Sequence, residues 1–415
     1  MKSNSETVKP TIQIGPVCDD PTESVSSVNK ALLDGLKDRY AFVAPSSNRH
    51  HGTTKQARFN AWNVIYLVKH TLSWLGALIR HRPVVAHYGI TTAWALEKGL
   101  FLLLLARIFG AKTIGHIHAG DFGEYIDGLS GWRRRWAMKQ LQKLDAFVVL
   151  SEYWRGVVAE CADIPRDRLF VVSNPISGEF EQAALQIPIE RPGNTILSLG
   201  TMCRDKGVLD ILDAVALVRP EMSDFEVILA GPEREPGILE VVKRQIASGS
   251  LEDQFCLHPG VWGDAKVGMF RKATIMLLPS YIENFPLVVL EAAAAGQAII
   301  TTRVGAIPEF FEDGVSALFV EPGNPQQIAE AILRLVNNPA ERCRLAAAAR
   351  QVFESKLGRA EIMNSLDRTY CHVLRHQRVE VAHAPVLSVS AAKGSHTMVQ
   401  VIESGTREGG SDRAS

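Results

Sequence analysis

Two glutamates, Glu283 and Glu291, bracket a segment that opens Asn284-Phe285-Pro286-Leu287 and continues as a run of Val, Leu and Ala to Gly296. Pro286 suits the first position of a helix, where its missing N–H costs nothing, and Gly296 suits the residue just past the end. Glu283 then falls on a loop after a strand, and Glu291 projects from the helix into the same region. A glutamate on a buried helix face is costly unless donors meet its carboxylate, and sugar hydroxyls are such donors. The plain alternative is a solvated loop acid at Glu283 and a salt-bridged Glu291.

The stretch Ser280 to Gly296 resembles the Glu-x7-Glu signature of retaining GT-B glycosyltransferases of family 4, the glycosyl transferases group 1. Three further segments continue the likeness in order: Val304 to Glu309, Asp313 to Leu318 and Val320 to Asn324. Upstream, Leu197-Ser198-Leu199-Gly200-Thr201-Met202-Cys203-Arg204-Asp205-Lys206-Gly207 resembles the first strand and loop of the same domain. By this resemblance Glu283 contacts the donor sugar and Glu291 the ribose of its nucleotide, with Gly200, Asn284, Phe285, Pro286 and Leu287 around them. Lys206 matches the lysine that grips the donor diphosphate. Thr201 stands where the family carries an arginine, and Arg204 is the nearby substitute. Charge developing on a departing diphosphate needs such fixed cations.

Gly115-His116-Ile117-His118-Ala119-Gly120-Asp121 ends a strand of the first half. A His-x-His pair without further ligands is weak ground for zinc. In the family a histidine here reaches the donor sugar, and His118 is the choice, although strand alternation sends both rings to one side and leaves His116 open. The first loop, from Gly15, carries serines where the family often has a glycine pair, so Ser26 and Ser27 are its candidate acceptor or phosphate contacts. His372 and His376 read as exposed helix residues.

Trp132-Arg133-Arg134-Arg135-Trp136 through Lys143 joins clustered cations to indoles. That composition suits the interface of an anionic bilayer, and equally an exposed basic helix with its tryptophans packed inward.

Short apolar runs alternate with helical patterns along the chain: strands are expected at Thr11 to Ile14, Ala41 to Val43, Pro83 to Ala86, Thr113 to Ile117 and Ala146 to Leu150. The second half repeats them at Thr195 to Leu199, Glu226 to Ala230, Phe255 to Leu257, Thr274 to Leu278 and Ala298 to Thr302. This rhythm predicts an α/β protein of doubly wound parallel sheets. The resemblance makes it GT-B, two Rossmann-like domains facing across a cleft. The expected divisions are a polar tail at 1–10, an acceptor domain at 11–178, a nucleotide-sugar domain at 179–358, a helix at 359–378 and a flexible tail at 379–415.

In the 415 residues 45 basic and 45 acidic side chains cancel, so no global field favours nucleic acid. The six scattered cysteines form no CxxC pair and the start has no apolar leader, which reads as a cytoplasmic protein. Gly99 to Phe109 is too short to cross a bilayer and reads as a buried helix. No GxGxxG or Walker A sequence points to a dinucleotide enzyme.

The resemblance implies retaining transfer of a hexose from a UDP- or GDP-linked nucleotide sugar to a saccharide or polyprenyl-linked acceptor. The setting would be bacterial exopolysaccharide, capsule or lipopolysaccharide synthesis, at the inner face of the cytoplasmic membrane. No Asp-x-Asp cluster stands at a strand end, so no metal or other cofactor is expected. A phosphorylase, a sugar-nucleotide epimerase and an inactive nucleotide-binding homologue are the rival readings.

Overall fold

The fold is described by a computed structural model over residues 9–18, 24–45 and 61–382, the side chains of the last stretch over 65–375. Six strands form the first sheet: β1 (Thr11–Gly15), β2 (Ala41–Val43), β3 (Val85–Ile90), β4 (Lys112–Ile117), β5 (Ala146–Val149) and β6 (Leu169–Val171). Six more form the second: β7 (Thr195–Leu199), β8 (Glu226–Ala230), β9 (Phe255–His258), β10 (Ile275–Leu278), β11 (Ala298–Thr302) and β12 (Leu318–Val320). The orders are β2-β1-β3-β4-β5-β6 and β12-β11-β10-β7-β8-β9, every pairing parallel. β3 and β10 are buried at every residue, as strands covered by helices on both faces must be.

The third strand starts at Val85 rather than Pro83, because proline brings no N–H to the ladder, and it runs on through His87-Tyr88-Gly89. β6 and β12, three residues each, had no counterpart among the expected strands. Their apolar runs are too brief to stand out from the loops beside them.

The chain ends by crossing back. Helix Arg359–Ala382 follows the second domain, yet Ile362, Leu366 and Tyr370 pack into the core of the first with Ile12, Ile14 and Leu32. Tyr40 Oη donates to Asp367 at 2.8 Å, tying the same helix to the start of the first domain. Residues 379–382, expected in a tail, are helical, while 1–8 and 383–415 lie outside the described residues. The greasy stretch 99–109 lies in and just past helix Trp94–Ile108 and is only half buried: Leu100, Leu102 and Leu103 are inside, whereas Phe101, Ile108 and Phe109 face water. Among the described residues no helix is long and apolar enough to cross a membrane.

Candidate active site

Between the sheets lies a cleft of ≈ 730 Å³ lined from both domains and by the Asn174–Ser177 connection. Parallel strands point their carboxyl ends into it, where α/β ligands bind.

The loop after β10 forms the centre of its wall. Ser280 Oγ donates to Glu283 Oε1 at 2.9 Å, and Lys206 Nζ pairs with the same oxygen at 2.5 Å. Glu291, on helix Leu287–Ala294, is buried and meets Lys266 Nζ at 2.5 Å. Burial pushes the Glu291 carboxyl above its usual range, and the Lys266 ammonium opposes that. The wall thus holds two carboxyl groups, each beside its own lysine.

Both domains clamp this loop. Asn284 Nδ2 donates to the Ile117 carbonyl at 3.4 Å, Trp154 Nε1 to the Asn284 carbonyl at 3.1 Å, and Asn174 Nδ2 to the Phe285 carbonyl at 3.0 Å. Nearby, Glu309 accepts from the N–H groups of Glu152 and Tyr153, both at 3.0 Å, so the second domain caps a helix of the first. A Cβ on Gly120 would lie 2.7 Å from the Glu283 carbonyl carbon. Gly120→Ala must therefore part the domains or shift the loop after β10. We expect a cost of about 1–3 kcal/mol, read as a lowered melting midpoint, and an unchanged midpoint would contradict this contact.

Most expected residues line the cleft: Gly200, Thr201, Lys206, Glu283, Asn284, Phe285, Pro286, Leu287, Glu291, His118 and Ser27. Three do not. Arg204 turns outward, its Nε 2.9 Å from Glu235, and Arg234 from the next loop lines the cleft instead. Ser26 is buried in reciprocal hydrogen bonds with the backbone of Cys18, at 2.8 and 2.9 Å, and fastens the first loop rather than a ligand. Gly15 is also absent from the lining and is crowded instead: a Cβ there would come 3.1 Å from Trp74 and 3.2 Å from Tyr88.

His118 faces the cleft, whereas His116 is wholly buried and turns its Nδ1 to His87 at 3.2 Å. His87 in turn contacts Tyr370 Oη at 2.7 Å, on the returning helix. Burial holds the His87 and His118 rings down at about 3 and His116 well below its usual range. All three are neutral near pH 7, able to hydrogen-bond but not to carry charge. Among the described residues no cluster of three or more metal-ligating side chains occurs. His372 is exposed beside Phe170, and the His376 side chain lies outside the described residues.

Lys266 and Arg234 escaped the sequence reading. Each sits on an element other than those that carry the glutamates, and neither stands in a motif.

The fold and site can be set beside known proteins. The Glycosyltransferase Family 4 model matches residues 35–180, and the Glycosyl transferases group 1 model matches residues 180–352. A D-inositol 3-phosphate glycosyltransferase of Arthrobacter sp. (strain FB24) is 29% identical over 194 residues, 46% of each chain, so under half of that relative's length is spanned. Sucrose-phosphate synthase from Thermosynechococcus elongatus superposes with a TM-score of 0.70 at 16% identity, over 89% of this chain and 100% of its own. HepE of Anabaena, solved in complex with UDP, gives 0.64 at 16% identity, over 88% and 100%. With both halves matched in chain order on a GT-B fold, the chain belongs to the family 4 type of glycosyltransferases, the glycosyl transferases group 1.

Proposed function

We propose that the chain transfers a hexosyl group from a UDP- or GDP-linked nucleotide sugar to a saccharide or polyprenyl-linked acceptor, with retention of configuration. The observation that carries this reading is the pair of lysine-matched carboxyl groups on one cleft wall, the part-buried Glu283 with Lys206 and the buried Glu291 with Lys266. Glu291 accepts from the ribose hydroxyls and Glu283 from those of the sugar, because a buried carboxylate gains most from hydroxyl donors. Lys206, held by Glu283, keeps two N–H donors for the diphosphate, and Arg234 adds a second cation at the cleft wall.

As the bond from the anomeric carbon to the phosphate oxygen breaks, its electron pair stays with the diphosphate. The acceptor hydroxyl then attacks the same face and passes its proton to that phosphate oxygen. No enzymic nucleophile is needed, so the two glutamates are not the acid and nucleophile of a glycosidase. The neutral His118 ring hydrogen-bonds the donor sugar. The UDP and UDP-glucose complexes of the Anabaena neighbour support the donor class. A role in bacterial exopolysaccharide, capsule or lipopolysaccharide synthesis, in the cytoplasm at the inner membrane face, belongs to the same reading.

Thermal-shift screening of UDP- and GDP-sugars, followed by product analysis, tests it. Donor with acceptor should give a glycoside of retained configuration. A sugar phosphate formed with added phosphate would mean a phosphorylase, and an altered free sugar from donor alone an epimerase. Because lysine and arginine supply the positive charge in this mechanism, EDTA should leave the rate unchanged. A rate that EDTA abolishes and magnesium restores would contradict it.

A further inference from the structure

Helices Ala61–His81, Trp94–Ile108 and Gly131–Leu141 lie side by side on the first domain. Their inner faces supply core residues such as Trp74, Leu103 and Leu141. Their outer faces are apolar as well. On the first helix Ile65, Val68, Leu72 and Ile79 are 42–61% exposed at helical spacing. Phe101, Ile108 and the following Phe109 are 40–70% exposed, and Trp132 is 70% exposed. A helix facing water normally turns polar residues outward, and one that is apolar all round needs another cover. Most of the large hydrophobics exposed among the described residues gather here, and such a patch marks an interaction surface.

Its charge leans basic, with Glu97 the acid beside Lys98 and Arg107 on the middle helix. Residues 61–82 carry Lys69, Arg80 and Arg82 without an acid, and 131–143 carry Arg133, Arg134, Arg135, Lys139 and Lys143 without one. The chain as a whole is balanced at 45 against 45, so this face holds a local excess. Part of the basic cluster is already engaged: Arg133 pairs with Glu97, Arg134 lies 3.5 Å from Asp127, and Trp136 packs against the core. Arg135, Lys139 and Lys69 are exposed.

We propose that this three-helix face docks on an anionic lipid bilayer, its apolar stripes at the acyl boundary and its exposed cations among the headgroups. Charge complementarity selects that occupant: a second copy laid face to face would set like charges together, whereas anionic headgroups neutralise them. The face also adjoins the cleft. Helix Trp94–Ile108 starts at the carboxyl end of β3, and Thr92 beside that start donates to Asp121, next to the Gly120 that touches Glu283. The surface stands whatever the cleft's chemistry.

Co-sedimentation of the full chain with phosphatidylglycerol-containing vesicles and with pure phosphatidylcholine tests it. The wild type should bind the anionic vesicles and release as salt rises. Leu72→Glu with Ile79→Glu should weaken binding about tenfold or more without moving the melting midpoint, since both side chains already face water. Arg135→Glu with Lys139→Glu should remove the salt-sensitive part. Leu217→Glu, an exposed apolar residue on the second domain, should change nothing. The proposal is overturned if the wild type ignores anionic vesicles, if the Leu72/Ile79 variant binds as well as wild type, or if sedimentation velocity finds a dimer that this variant splits.

Discussion

Glu283→Gln should lower kcat/KM for transfer about a hundredfold while leaving nucleoside diphosphate binding near its wild-type value. The substitution keeps the side chain's volume and one acceptor but removes the charge that Lys206 and Ser280 now meet at 2.5 and 2.9 Å. A charge-assisted hydrogen bond contributes about 1.5–3 kcal/mol, and each ~1.4 kcal/mol is tenfold in rate. On the proposed reading two effects therefore add: weaker contact with the sugar hydroxyls and a looser hold on the Lys206 ammonium assigned to the leaving diphosphate. Steady-state kinetics beside a nucleotide titration separates chemistry from binding, and a wild-type rate in the purified variant refutes the assignment.

Glu291→Ala should act on the other end of the donor. On the proposed reading, which gives Glu291 the ribose hydroxyls, affinity for UDP or GDP should fall about tenfold to a hundredfold, measured by calorimetric titration. Lys266 is a quarter exposed, so it reaches water when its partner is removed and the fold survives.

The pH dependence follows from the same group. Burial raises the folded-state value of Glu291 above its unfolded one, so the stability linked to this group is fully present below the unfolded value and is lost as pH rises through the folded value. Nucleotide affinity runs the opposite way, because only the ionised form accepts two hydroxyls: it should fall as pH drops through the folded value. In Glu291→Ala that dependence should disappear.

These effects were partly legible in the chain because the two glutamates share one contiguous segment. A loop, a helix that starts at Leu287 with Pro286 as its extended cap residue rather than its first turn, and a helical rise fix their separation without any tertiary information. The parallel sheets were legible for a similar reason: strands buried on both faces, such as Ile275 to Leu278, read as unbroken apolar runs. What local pattern could not supply was the direction of single side chains. Arg204 and Arg234 are both basic residues on loops beside the cleft, and only the loop geometry sends one to Glu235 and the other to the lining. Ser26 and Ser27 are neighbours on one helix, where successive residues point about 100° apart, so one closes the loop on Cys18 and the other reaches the cleft.

Long-range pairing was equally hidden. Lys266 comes from helix Gly263–Lys272 to Glu291, and the helix Arg359–Ala382 returns to the first domain to place Tyr370 against His87. Nothing in the sequence around either residue marks its partner. The outward apolar stripe of helix Ala61–His81 was hidden too, since its periodicity alone does not say which face meets the core.

Release of nucleoside diphosphate from a stabilising nucleotide sugar, followed with the wild type and Glu283→Gln side by side, tests the central claim most directly. The account predicts acceptor-dependent release by the wild type and about a hundredfold less by the variant, with both binding the nucleotide. Binding without release by the wild type from any donor and acceptor pair, or equal release by the two proteins, would contradict it.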